Sequence, residues 1–209
     1  MDATLIRQLV WLDYRLALLF IVLIPFGLLV WALRSGSEAI KRSLLLYWRV
    51  ASLVLITIYL AIGNLGISYI SGIVAAVLIV LSLWFWQDLN EDIGASRQGV
   101  KQIYLGWRWA TTVYCSLSVV FRLIFANCAF MKAEQLSNIC KVWFEPPLSF
   151  SATFHNGVPV ENLAFVGAVG GIVYMLYFFS FLAFSLPKTG RIAFRDEYKA
   201  QNGYAILGF

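Results

Sequence analysis

The chain has little charge. Asp, Glu, Lys and Arg make up 13% of its 209 residues, whereas hydrophobic residues make up 61%. A soluble domain typically contains about 25% charged residues, and a soluble chain of this composition would have too little polar surface to cover its core. The composition therefore excludes an ordinary soluble domain and predicts an integral membrane protein.

Residues that commonly perform chemistry are also scarce. The chain contains one histidine, His155, and three cysteines, which excludes a His-rich metal site. It has no cysteine pair at metal-binding spacing, no glycine-rich phosphate loop and no nucleophile elbow. We therefore expect no catalytic site and no cofactor, and a pigment such as chlorophyll or carotenoid has no positive support in the sequence.

One short acidic cluster follows the third apolar segment and consists of Asp88, Glu91 and Asp92. Carboxylates in this position can hold Mg²⁺ or a phosphate-bearing lipid through a metal. The same residues also fit a helix end that runs into a solvated loop. If the protein is a membrane enzyme, this cluster is the one candidate for its catalytic site in the sequence.

Long uncharged segments predict an all-α, polytopic membrane protein. A helix needs about 20 apolar residues to cross a hydrocarbon core of roughly 30 Å, and it satisfies its own backbone hydrogen bonds in lipid. A turn signal over residues 63–66 divides the longest uncharged segment into two helices. The predicted spans are about 16–33, 47–63, 67–87, 109–131 and 162–186. They form one membrane domain over residues 1–187, with a loop at 132–161 and a tail at 188–209.

The lysines and arginines are distributed unevenly between the two faces that five spans would create. Eleven of the 16 lie on the face of the C-terminal tail, four lie on the opposite face, and Arg122 lies inside a span. Cytoplasmic loops carry an excess of basic residues, so we expect a cytoplasmic C-terminus and an N-terminus outside the cell or in a lumen. The net charge of +5 then reflects topology and attraction to anionic lipid, and no nucleic-acid partner is expected.

Arg122 is the candidate functional residue within the spans. A charge near mid-bilayer costs at least about 2.5–3.5 kcal/mol on insertion scales and normally faces a partner, yet no predicted span contains an acid. One interpretation is that the fourth span begins near Tyr104, with Arg122 at its far end and residues 123–131 at the interface. The other is that Arg122 binds a lipid phosphate, a cofactor carboxylate or an acid from another subunit.

Cys128 and Cys140 are a candidate disulfide pair. Both lie on the predicted non-cytoplasmic face, where disulfides are permitted. A bridge across this short loop stabilises the fold by about 3 kcal/mol in the chain-entropy model. The alternative is that Cys128 is simply a small apolar helix residue.

Small residues recur at intervals of four on two predicted spans. They are Ser68, Gly72 and Ala76 on the third span and Gly167 and Gly171 on the fifth. Such residues mark close helix contacts in lipid, so either the two spans pack on each other or one of them receives a partner protein. Pro25 predicts a kink in the first span, which is a candidate transporter hinge.

Five short strings are not explained by hydropathy alone. They are WLDYRLA at 11–17, YWRVAS at 47–52, LWFWQDLNE at 83–91, WRWATTVYC at 107–115 and CKVWFEPP at 140–147. Together they resemble a cyanobacterial family of small integral membrane proteins of unknown function, over roughly residues 5 to 187. The resemblance implies a cyanobacterial membrane, in particular the thylakoid, where small accessory proteins attend photosystem assembly. It supplies no catalytic residues.

Three functional hypotheses follow. The first is a non-catalytic accessory or assembly protein, packed in the lipid bilayer against a larger membrane complex and acting in photosystem biogenesis. The second is a small-molecule or lipid transporter, with Arg122 and Pro25 in its pathway. The third is a membrane enzyme that uses the interfacial acidic cluster.

Overall fold

A computed structural model describes residues 3–96, 98–131 and 137–193 of the chain. The protein is all-helical, with 87% helix and no strand among these residues, which confirms the all-α prediction. The predicted tail beyond residue 193 and residues 132–136 of the predicted loop lie outside the described ranges.

The first long helix begins close to the N-terminus. α1 (Ala3–Ala17) continues through a π-helical segment (Leu18–Leu23) into α2 (Ile24–Ser35). Gly36 ends it with φ at 66°, a left-handed conformation that glycine adopts without steric cost. The helix therefore starts well before residue 16, because the charged residues that precede the uncharged segment lie inside the helix.

The other helices follow in chain order. They are α3 (Glu38–Ile62), α4 (Ile67–Trp84), α5 (Gln87–Ala95), α6 (Gln98–Ile124), a 3₁₀ turn (Ala126–Phe130), α7 (Asn138–Val142), α8 (Glu145–Phe154), α9 (Val160–Ser180), a second π-helical segment (Phe181–Ser185) and α10 (Leu186–Thr189). The turn between α3 and α4 lies at residues 63–66, where Asn64 has φ at 53°. The predicted loop at 132–161 thus contains two short helices, α7 and α8.

Four helices of the described ranges are long and apolar enough to cross a membrane. They are Thr4–Ser35, Glu38–Ile62, Ile67–Trp84 and Val160–Lys188. α6 is not among them, because Arg108, Arg122 and several hydroxyl side chains make it more polar. An integral membrane protein with apolar helices in the bilayer is therefore indicated, while the fifth span and the orientation stay predictions.

α6 differs from the predicted span at 109–131. It begins at Gln98, and the regular helix ends at Ile124, before a 3₁₀ turn. Arg108 does not end the helix, because its guanidinium packs over the Trp84 ring, with Cζ 3.6 Å from the ring centroid. The two ends of the predicted span therefore coincide with neither end of α6.

α3 is the central helix of the bundle. It packs against α2, α4, α5, α8 and α9, while α6 packs against α4 and α2. One buried cluster includes Tyr47, Tyr104 and Trp107, and a smaller one at the other end of the bundle includes Tyr69 and Trp143. The candidate functional site lies in the space between α1 and α3.

The π-helical segment before Pro25 is stabilised by two other helices. Proline has no N–H, so the carbonyls of Phe20 and Ile21, five and four residues earlier, receive no hydrogen bond from residue 25. Tyr47 Oη donates to the carbonyl of Ile21 at 2.8 Å, and Trp107 Nε1 donates to the carbonyl of Phe20 at 2.8 Å. The irregularity predicted at Pro25 thus takes the form of a widened turn whose free carbonyls bind α3 and α6.

Candidate functional site

Arg122 forms an ion pair inside the bundle. Its Nη2 donates to Asp13 Oδ2 at 2.9 Å, and the two side chains are 22% and 8% exposed. Tyr114 Oη donates to Asp13 Oδ1 at 2.9 Å, and Arg122 Nε donates to Ser118 Oγ at 3.3 Å. A polar cluster therefore joins α1 to α6 in an otherwise largely apolar bundle.

The expectation that no span contains an acid for Arg122 was wrong. Asp13 lies inside the candidate span Thr4–Ser35 and belongs to the same chain, so neither interpretation of Arg122 named its partner. Counting uncharged residues placed Asp13 outside the bilayer, because the uncharged segment begins only after Arg15. The available signal was the position of Asp13 in the string WLDYRLA, one turn from the apolar segment.

Gly72 makes room for the Arg122 guanidinium. A Cβ atom at Gly72 would lie 2.8 Å from Arg122 Nη1 and 3.5 Å from Thr57 Cγ2. Ser68 and Ala76, one turn before and one turn after Gly72, are buried. The small-residue face of α4 therefore receives side chains from α6 and α3.

An apolar cavity of about 340 Å³ lies beside the ion pair. Its walls come from α1, the first π-helical segment, α3, α4 and α6, and residues of α8 and of the segment before it cover one end. Asp13 and Arg122 are the charged residues among the described residues that line it. Small-molecule sites typically have volumes of about 300–1,000 Å³, so the cavity lies at the lower end of that range.

The cavity opens toward the outer surface of the bundle between the first helix and α3. Leu18 and Val22 on one side and Leu55 on the other line the cavity, and their side chains are 45%, 37% and 50% exposed. All three belong to candidate spans. The rim therefore lies where lipid chains would contact the protein.

A disulfide holds the segment that covers the cavity. Cys128 in the 3₁₀ turn is bonded to Cys140 in α7, which is the pair named as a candidate in the sequence. Tyr69 Oη donates to the Cys140 carbonyl at 2.8 Å, and Ser137 caps α7 by accepting the Cys140 N–H at 3.3 Å. The bridge thus fixes the chain next to Trp143, which lines the cavity.

α8 is held at both ends. At its start, Glu145 accepts from Arg7 Nη2 at 2.7 Å and from Trp11 Nε1 at 3.3 Å. At its end, the Nε2 atom of His155 lies 2.9 Å from Tyr59 Oη. The single histidine of the chain therefore anchors this cover to α3.

α9 packs on α3 through small residues. A Cβ atom at Gly167 would lie 2.9 Å from the backbone nitrogen of Leu60, and one at Gly63 would lie 2.5 Å from Ala164 Cβ. A Cβ atom at Gly171 would lie 3.7 Å from Ile56 Cγ2 on α3, which is an ordinary van der Waals distance. The small-residue faces of α4 and α9 thus do not meet each other, because α3 lies against both helices.

The three acidic residues near the start of α5 do not converge. Both carboxylate oxygens of Asp88 accept the backbone N–H of Ala193 at 3.0 Å, while Glu91 accepts from Gln87 Nε2 at 3.2 Å. The backbone carbonyl of Asp92 accepts from a neighbouring serine. No group of three or more side chains that could hold a metal ion occurs in the part of the chain that the structure describes.

Residues 7–194 match a family described as a protein of unknown function (DUF3177). The match covers most of the chain, so the protein belongs to this family. Comparison with curated proteins and with solved structures finds no match.

Proposed function

We propose that this protein is a non-catalytic binding protein that holds a small apolar molecule within the membrane. The apolar cavity beside Asp13 and Arg122 carries the proposal, because its volume suits a small ligand. Its rim consists of side chains that lipid would contact, so a lipophilic molecule reaches it by diffusion in the bilayer. Storage, delivery and transport of such a molecule all require this binding step.

A matched pair of substitutions at the rim tests the proposal. Leu18 lines the cavity and its neighbour Leu19 does not, although the two are similarly exposed, at 45% and 41%. Leu18→Trp places a larger ring at the opening, whereas Leu19→Trp makes the same change on the lipid-facing surface. Apolar molecules that co-purify in mild detergent are extracted and quantified by mass spectrometry.

We expect one species at a constant ratio to the protein in the wild type and in Leu19→Trp, and a several-fold loss in Leu18→Trp. Equal amounts in all three proteins would contradict binding in the cavity.

We also infer five crossings, with α6 as the additional span, and a cytoplasmic C-terminus. α6 has 27 residues, a length of about 40 Å, and its arginines are engaged by Asp13 and by the Trp84 ring. The excess of basic residues on the face of the C-terminal tail supports the orientation. In sealed membrane vesicles whose cytoplasmic face points outward, a cysteine added after Phe209 should react with an impermeant maleimide without detergent, and reaction only after detergent is added would overturn the orientation.

A second candidate function is that of an accessory or assembly subunit of a larger membrane complex. One observation favours it: 6% of the most apolar stretch of Val160–Lys188 is buried within the chain, against 22–33% for the other candidate spans. This helix therefore has most of its surface for lipid or for another subunit. We propose that this complex is photosynthetic and lies in a cyanobacterial thylakoid membrane, as the resemblance of the five strings implies.

Native gels in mild detergent test this second candidate. The tagged protein should migrate with a larger complex, and Leu176→Trp on α9 should release it. Leu117→Trp on α6 is the matched control, since the two leucines are 67% and 66% exposed. Migration of the wild type as a lone small species would count against the subunit role.

A further inference from the structure

The surroundings of Arg122 point to the polar group that the ligand carries. Building on the proposed binding function, we propose that the ligand is a neutral lipophile with a hydrogen-bond acceptor, such as the carbonyl of a ketone, quinone or ester. Arg122 Nη1 donates to this acceptor, and the apolar part of the ligand extends along the cavity toward the lipid-facing rim.

Arg122 has donors that the ion pair does not use. Arginine carries five N–H donors in a planar fork. Nε donates to Ser118 and Nη2 donates to Asp13, while no acceptor among the described residues is paired with Nη1. Arg122 and Gly72 both line the cavity, and Gly72 has no side chain to cover Nη1. Nη1 therefore lies beside Gly72 in the cavity wall, where a ligand in the cavity would be its acceptor.

The charge balance of the wall selects a neutral ligand. Asp13 and Arg122 neutralise each other, and they supply the charges among the described lining residues. An anionic ligand would add a negative charge without a counterion in an apolar cavity, which is unfavourable, and a cationic ligand would add a positive one. A neutral acceptor adds no net charge and gains a hydrogen bond to a charged donor, which is stronger than a bond between neutral groups.

A hydrocarbon without an acceptor fits the apolar wall but leaves Nη1 without a partner, which costs part of the binding free energy. The three kinds of ligand should therefore differ in their affinity for the cavity. The neutral acceptor should bind most tightly, and the hydrocarbon and the anion should both bind more weakly.

Trp143 provides a readout at the site itself. Its ring lines the cavity and lies 5.0 Å from Arg122 Cζ, so a bound bromine compound should quench its fluorescence by contact. Three probes share a brominated ring and differ in the head group: methyl para-bromobenzoate, ionised para-bromobenzoate and para-bromotoluene. The same titration of the Trp143→Phe variant, in the same detergent, measures the quenching of the other tryptophans. This contribution is subtracted from the quenching of the wild type.

We expect the ester to quench Trp143 with an affinity about tenfold or more above that of bromotoluene and benzoate, as one hydrogen bond to a charged donor requires. In Asp13→Asn/Arg122→Met the ester should fall to the affinity of bromotoluene, while bromotoluene still binds and thereby reports a folded cavity. Gly72→Ala, which crowds Nη1 but keeps both charges, should weaken the ester selectively.

The outcomes separate the two proposals. Equal binding of ester and bromotoluene to the wild type, or tighter binding of benzoate, would overturn the head-group inference and leave the binding function standing. If none of the three probes quenches Trp143, the binding function itself is contradicted.

Discussion

Replacing Arg122 with Met should destabilise the folded protein by about 3 kcal/mol. Arg122 pairs with Asp13 at 2.9 Å, and the Asp13 side chain is 8% exposed. Removing one partner of a buried pair typically costs about 3–5 kcal/mol, because it leaves an uncompensated charge. We expect the lower end of this range because Tyr114 still donates to the Asp13 carboxylate and Arg122 itself is partly exposed.

A double-mutant cycle isolates the interaction between the two charges. Asp13→Asn/Arg122→Met buries no charge, so it should lose less stability than the sum of the two single variants, with a coupling free energy of about 1–3 kcal/mol. The free energy of unfolding is measured in mixed micelles by increasing the SDS fraction and following helix content by circular dichroism.

Arg7→Met is the matched control for this cycle. Arg7 also pairs with a carboxylate, Glu145 at 2.7 Å, but its side chain is 58% exposed, and exposed pairs contribute about 0–1 kcal/mol. Equal losses in Arg7→Met and Arg122→Met would refute the reasoning. Strict additivity in the cycle would refute it as well, since a directly coupled pair cannot be additive.

Two further predictions concern packing and the disulfide. Gly167→Leu should loosen α9 and speed its limited proteolysis, because even a Cβ atom there would lie 2.9 Å from the Leu60 nitrogen. Gly171→Ala should be cleaved at the rate of the wild type. Equal proteolysis rates for the two variants would contradict the packing of α9 on α3. Cys128→Ser should lower the free energy of unfolding by about 3 kcal/mol. It should also raise the number of thiols that maleimide labels in SDS from one to two, because Cys140 joins the free Cys115. An unchanged SDS transition would show that the bridge contributes nothing.

The pairing of Arg122 shows where sequence reasoning succeeded and where it stopped. An arginine in an apolar segment was identifiable as unusual, because a charge in lipid needs a partner. The partner was not identifiable, since Asp13 lies 109 positions away and no spacing rule connects residues on different helices. Gly72 was likewise recognisable as a small residue at a close contact, but not as the residue that faces the guanidinium.

The helix ends show the same division. Gly36 and the turn at 63–66 have local sequence signals, because only a few residue types adopt the backbone conformations that end a helix. Charged residues were a poor guide to the ends of the first helix and of α6, since Asp13 and Arg108 find partners within the bundle. A charge ends an apolar segment without ending the helix whenever another helix neutralises or stacks on it.

The sequence by itself determined that this is a helical membrane protein, because low charge and long apolar segments leave helices in lipid as the stable arrangement. Only the tertiary structure decided that α1, α3, α4, α6 and α8 enclose a cavity, and that its wall carries a neutral pair of opposite charges. Cavities and ion pairs arise from contacts between residues far apart in the chain, and such contacts depend on how helices pack rather than on any local pattern.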